Sequence, residues 1–210
     1  MTTRTMENRA DVTEMQSSSF EQFAAICSML AGIAILLYSL SFLVLHSKLL
    51  SGLFLMLTGL LATAVLTALY SRLRETDATF ALWAFVLALV GSLGAAIHGG
   101  FDLATAINNQ AVSSLPSAID PRGLLTFGVT GIGVFSIAWL IGRSGGFPRG
   151  LNYWGYLLGV LQVVLYVAYL IITDTKNPVI AVDILLTGFI VNPIWYLWLG
   201  YALWRGRSVR

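Results

Sequence analysis

Charge is scarce in this 210-residue chain. Twelve basic and ten acidic residues make up 10% of it, where an ordinary soluble domain carries about 25% to keep its surface wetted. So few charges exclude a soluble globular protein of normal surface. A hydrophobic content of 57% and a mean hydropathy of +0.81 exclude intrinsic disorder, which needs low hydrophobicity and high charge. Cysteine is nearly absent. Cys27 alone permits no intramolecular disulfide, thiolate zinc site or c-type haem attachment, and it reads as an inert apolar residue. The net charge of +2 is spread along the chain, so no basic patch points to nucleic acid.

What the chain has instead is long apolar runs between bunched charges. A helix rises about 1.5 Å per residue, so a hydrocarbon core of about 30 Å takes about 20 residues. Residues 22–45, 49–71, 79–102, 123–142, 150–173 and 179–204 are each long enough. These runs lack the alternation of barrel strands, and open strands leave backbone groups unpaired in lipid. The predicted fold is therefore all-α: a polytopic six-helix transmembrane bundle forming one domain over residues 21–205, preceded by a polar segment, residues 1–20. That segment is Ser/Thr-rich and reads as mobile or interfacial. Its acidic residues outnumber Arg4 and Arg9, and the first apolar run is span length, so the sequence predicts a retained helix rather than a secretory signal.

Loop charges predict the orientation. Arg4, Arg9, Arg72, Arg74, Arg143, Arg149, Arg205, Arg207 and Arg210 fall on the side of the termini; Lys48, Arg122 and Lys176 fall opposite. The positive-inside rule then puts both termini in the cytoplasm. Tyr70, Trp139, Tyr153, Trp154, Tyr201 and Trp204 sit near the same ends, as interfacial anchors do. The expected partners are membrane lipid, a second copy of the chain or a partner membrane subunit. No cofactor is expected.

Two patterns suggest nucleotide or haem chemistry and fail on context. Gly128, Gly131 and Gly133 mimic a glycine-rich loop, but they lie inside a span with no preceding strand. His46 and His98 both lean to the outer side, yet His46 occupies a tight turn ill-suited to a bis-histidine haem. Small residues at Gly91, Ala95 and Gly99, with Ser92, Ala96 and Gly100 beside them, and the Gly155/Gly159 pair suit close helix packing.

Ionisable groups inside spans are costly, which makes them the strongest functional pointers. His98 and Asp102 are four apart and share a helical face. Asp183 starts from the same outer side at similar depth. With Asn192 they form a candidate polar cavity between spans three and six, open to the outside, for an ion, a proton relay or a small polar ligand. The alternative is structural: His98 pairs with Asp102 while Asp183 caps span six. In span six, Pro193 displaces the carbonyl of Phe189 and predicts a kink. Pro193, Trp195 and Trp198 read either as a hinge with an aromatic lining or as a kinked packing helix.

Two segments, residues 143–159 (RSGGFPRGLNYWGYLLG) and 191–200 (VNPIWYLWLG), resemble uncharacterised bacterial multi-pass membrane proteins of the domain-of-unknown-function type. That resemblance implies a bundle in the bacterial inner membrane and no particular activity. Three functions stay open: a structural or accessory membrane subunit, a small-molecule or ion carrier using the outer polar cavity, and an intramembrane enzyme using His98 and Asp102 as an acid/base pair. The enzyme reading lacks an accompanying nucleophile, metal set or cofactor motif.

Overall fold

The computed structural model describes residues 3–108, 117–172 and 177–205, with the backbone alone for residues 3–18. All regular structure among them is helical. Six helices are long and apolar enough to cross a membrane: α1, whose apolar part is Ser19–Leu43, α2 (Lys48–Leu73), α3 (Ala78–Asn108), α4 (Pro121–Ser144), α5 (Leu151–Ile171) and α6 (Pro178–Arg205). The chain is thus a multi-pass membrane protein by length and composition. The polar N-terminal segment is helical from Thr3 and continuous with the first span, there being no Gly or Pro before Gly32 to interrupt it. Asn109–Pro116 with their turn residues, Asp174, Lys176, Arg207 and Arg210 lie outside the described residues, as do the side chains of Arg4 and Arg9.

Polar residues set the helix ends. Ser47 accepts a hydrogen bond from the Leu50 amide to open α2, and the preceding His46 takes a left-handed φ of 47° to turn the chain. Asp77 accepts from the Phe80 amide at 3.0 Å at the start of α3. Asp120 and Asn177 do the same for α4 and α6, each followed by proline at the first helical position. Gly145, at φ 67°, ends α4. The third span runs six residues beyond its expected end. There Thr105 and Asn108 hydrogen-bond back to the carbonyls of Asp102 and Ala104, so the polar run satisfies the helix rather than breaking it.

Each helix packs on its neighbours in sequence, and α6 returns to α1, which closes a ring. Small residues set the spacing. A Cβ at Gly159 on α5 would lie 2.7 Å from the Gly131 carbonyl on α4, and one at Gly131 would lie 2.8 Å from the Gly159 carbonyl. The α2–α3 contact is built likewise, from Gly52 and Gly59 against Ser92, Ala96 and Gly99. The glycine stripes therefore pack within the chain.

The two ends of the ring differ. Toward the termini the interior is continuous hydrocarbon, in which Leu69, Leu73, Leu140, Leu151, Leu199 and Leu203 are fully buried. Arg72 closes this end by donating twice to Glu21, at 2.9 and 3.0 Å, tying α2 to α1. Toward the opposite end the apolar core shrinks to Leu165, Tyr169 and Ile180 with a few partly buried neighbours, and polar side chains occupy the interior.

Two helices are broken by π-helical stretches, Leu124–Val129 in α4 and Leu186–Val191 in α6. Pro193 accounts for the second: it supplies no amide to the preceding turn, and the helix widens just before it. In α4 the Thr130 hydroxyl donates to the Leu125 carbonyl at 3.0 Å, five residues back, in step with the wider turn.

Candidate functional site

Each π stretch carries a buried threonine, and each threonine meets a titratable residue. In α4, Thr126 lies across from α3, its Oγ1 3.2 Å from Nδ1 of His98. In α6, the Thr187 hydroxyl donates to Oδ1 of Asp183 at 2.9 Å. A widened turn redirects side chains by a fraction of a turn, which is why such bulges gather at working sites.

The α3–α4 group is a compact ionic network. His98 is 4% exposed, and its Nε2 lies 3.5 Å from Oδ2 of Asp102. The other Asp102 oxygen lies 3.3 Å from Nη1 of Arg122. Arg122 also donates through Nε to Asp120 at 2.8 Å and through Nη2 to the same oxygen, with its guanidinium 4.1 Å from the Phe101 ring centre. Lys48 lies within electrostatic reach of Asp102. Burial pushes the Asp120 carboxyl up, but the hydrogen bonds and charge of Arg122, with the Gly123 amide, outweigh it and hold the group below the usual carboxylate range. In this network every charge has an opposite partner. A neutral imidazole protonated on Nε2 satisfies both contacts of His98, accepting from Thr126 and facing Asp102.

The second group stands across the ring. Asp183 is 7% exposed, and among the described residues Thr187 is the one hydrogen-bond partner of its side chain. Asn177 caps α6, so Asp183 sits inside the helix and does not close its end. Tyr169 of α5 lies within electrostatic reach of Asp183, and Tyr38 of α1 within reach of both Tyr169 and Asp102.

The four expected cavity residues do not form one cluster. His98 and Asp102 meet on α3, whereas Asp183 and Asn192 belong to α6. Ring closure seats α6 between α5 and α1, and α3 between α2 and α4, so the third and sixth helices face each other without packing side by side. The Asn192 Oδ1 atom is buried without a partner, as are Gln162 Oε1 and Trp195 Nε1. Pro193 is fully buried, and Trp195, 1% exposed, stands edge-on to Tyr196 with ring centres 5.1 Å apart. Trp198 is partly buried against the terminal-side core and packs on Gly150.

The sequence reading missed Thr126, Tyr38, Tyr169 and Gln162. Gln162 had a visible signal, as an amide side chain in the middle of the fifth run, ten residues beyond Asn152 at its start. Among the described residues no three His, Cys, Asp or Glu side chains gather as metal ligands. No family model, curated protein or solved structure matches the chain.

Proposed function

We propose that the protein is a proton-coupled carrier of the bacterial inner membrane, with both termini cytoplasmic and Asp183 as the group that takes up the proton from the outer side. The orientation rests on the nine-to-three bias of basic residues in the sequence. The outer half is then the polar half of the ring. One observation carries the functional reading: Asp183 is buried inside a span, bonded to a neutral hydroxyl and paired with no basic side chain among the described residues. A carboxylate so placed is expensive in hydrocarbon and calls for positive charge from elsewhere. A proton from the outer bulk supplies it. The His98–Asp102–Arg122 network is charge-balanced and serves as a rigid wall, while the π stretches supply the two places where helices can rearrange. The test is charge uptake by reconstituted protein after an external acid jump, compared with Asp183→Asn.

A second reading, an accessory subunit, draws on a different feature. The lipid-facing side of the α4–α5 contact has an apolar groove of about 220 Å³ lined by Ile132, Phe135, Gly159, Val160, Val163 and Val164. Helices associate in membranes through van der Waals packing, which an apolar groove of this kind offers. Co-purification in mild detergent tests this reading: a stoichiometric partner subunit supports it, and a lone chain from native membranes counts against it.

A further inference from the structure

Among the described residues three polar side-chain atoms are sealed inside the bundle without partners: Oε1 of Gln162, Oδ1 of Asn192 and Nε1 of Trp195. They share one region, the contact of α5 with α6. Trp154 Nε1 on α5 donates to the Val191 carbonyl on α6 at 2.8 Å, and a Cβ at Gly155 would lie 2.8 Å from Trp195 Nε1. These contacts put Gly155 and Trp195 at one level. Moving outward, Gln162 is about 10 Å along α5 and Thr187 about 12 Å along α6 at the usual rise. Gln162 therefore lies level with Thr187, which holds Asp183. Asn192 falls between, about 7 Å inward of Thr187 and about 5 Å outward of Trp195. The groups make a file running from Asp183 to past the middle of α6.

Unsatisfied polar atoms are costly in hydrocarbon, and buried water commonly meets such groups. The backbone along the file favours water as well. Pro193 brings no amide to the turn beside Asn192, and the π stretch spreads the turns before it. Inward of Trp195 the lining becomes Leu151, Leu199 and Leu203, all fully buried, with nothing to hold a water molecule.

We infer that a file of water molecules fills the α5–α6 contact from Asp183 through Gln162 and Asn192 to Trp195, forming a hydrated half-path closed toward the termini by leucine. A proton reaching Asp183 passes along it by hops between waters, each hop forming one O–H bond and breaking another, without a change of oxidation state. This extends the reading of Asp183 as the proton-accepting group and rests on it for direction, while the hydration itself stands on the unpartnered atoms.

The probe is water access, not transport. In a Cys27→Ala background in lipid nanodiscs, the Gln162→Cys and Asn192→Cys variants should react with a small water-soluble methanethiosulfonate at least about tenfold faster than Val160→Cys, which faces lipid. Equal, slow reaction at all three positions would overturn the path. Where a variant fails to fold, hydroxyl-radical footprinting of the unmodified protein decides. Oxidation of buried Trp195 together with exposed Tyr153 supports the path, and loss of modification at Trp195 alone overturns it. A labelled path combined with unchanged proton uptake in Asp183→Asn would reject the function and keep the path. Lost uptake with unreactive cysteines would do the reverse.

Discussion

His98 on α3 and Thr126 on α4, 28 residues apart in the chain, lie side by side inside the bundle with Nδ1 and Oγ1 separated by 3.2 Å. The contact fixes the imidazole so that its other nitrogen faces Asp102, 3.5 Å away. Hydroxyl, imidazole and carboxylate stand in line, and Arg122 holds the far oxygen of the carboxylate. The order resembles that of a nucleophile, a base and its orienting acid; Thr126 is 5% exposed, and its contact with His98 joins α3 to α4.

Replacing Thr126 should therefore weaken the bundle. Thr126→Val leaves Nδ1 of His98 without a partner and should cost about 1–3 kcal/mol, seen as a lower unfolding midpoint in detergent. Thr126→Ser keeps the hydroxyl and should stay close to the wild type. Equal stability of the Val and Ser variants would show that the contact contributes nothing.

The α4–α5 crossing has a sharper steric requirement. A Cβ at Gly159 meets the Gly131 carbonyl at 2.7 Å and the Phe135 Cβ at 2.8 Å, and none of these atoms is the end of a flexible side chain. Gly159→Val should cost about 1–3 kcal/mol through forced separation of the helices. Gly146→Ala, where nothing lies within 4 Å, should leave the unfolding midpoint unchanged.

Asp120 caps α4 through the Arg122 amide, 2.8 Å from its Oδ1, so Asp120→Ala should cost about 0.5–2 kcal/mol. The pH dependence has a definite sign. The folded carboxyl is held below its usual range, so its contribution is complete above the unfolded value of about 3.9. It is lost as pH falls through the lower folded value. The stability difference between the wild type and Asp120→Ala should thus be constant from neutral pH down to about pH 4 and shrink in more acidic buffer. A difference that grew on acidification would reverse the assignment.

Orientation has its own check. With both termini cytoplasmic, a fluorescent protein fused after Arg210 should glow in cells and an alkaline phosphatase fused there should be inactive. The opposite pair of results would invert the bundle and put the polar half inside.

Much of the architecture was legible because charge is so dear in lipid. The gaps between charged residues marked six runs, and six helices long and apolar enough to cross a membrane are present; the first helix reaches back to Thr3 through the polar segment, and at the end of α3 Thr105 and Asn108 bond to the backbone and carry the helix through a polar run. Neighbour relations were not legible. The sequence puts Asp102 and Asp183 at similar depth, but depth does not say which helices touch, and ring closure set α3 and α6 apart. Pro193 announced a distortion. The backbone met it with a π turn over Leu186–Val191, which the apolar pattern does not foretell, whereas the spacing of Thr187 four residues after Asp183 was legible as a shared helical face. Thr126, Tyr38 and Tyr169 escaped notice because hydroxyl groups barely interrupt an apolar run, and their importance arises only when helices distant in sequence come together.

The account rests most heavily on Asp183. Protein reconstituted on a solid-supported membrane and given an external acid jump should produce a transient inward charge displacement. Asp183→Asn should abolish it, while Asp102→Asn, whose charge is already met by Arg122, should retain most of it. An undiminished signal from folded Asp183→Asn protein at equal density would contradict the account.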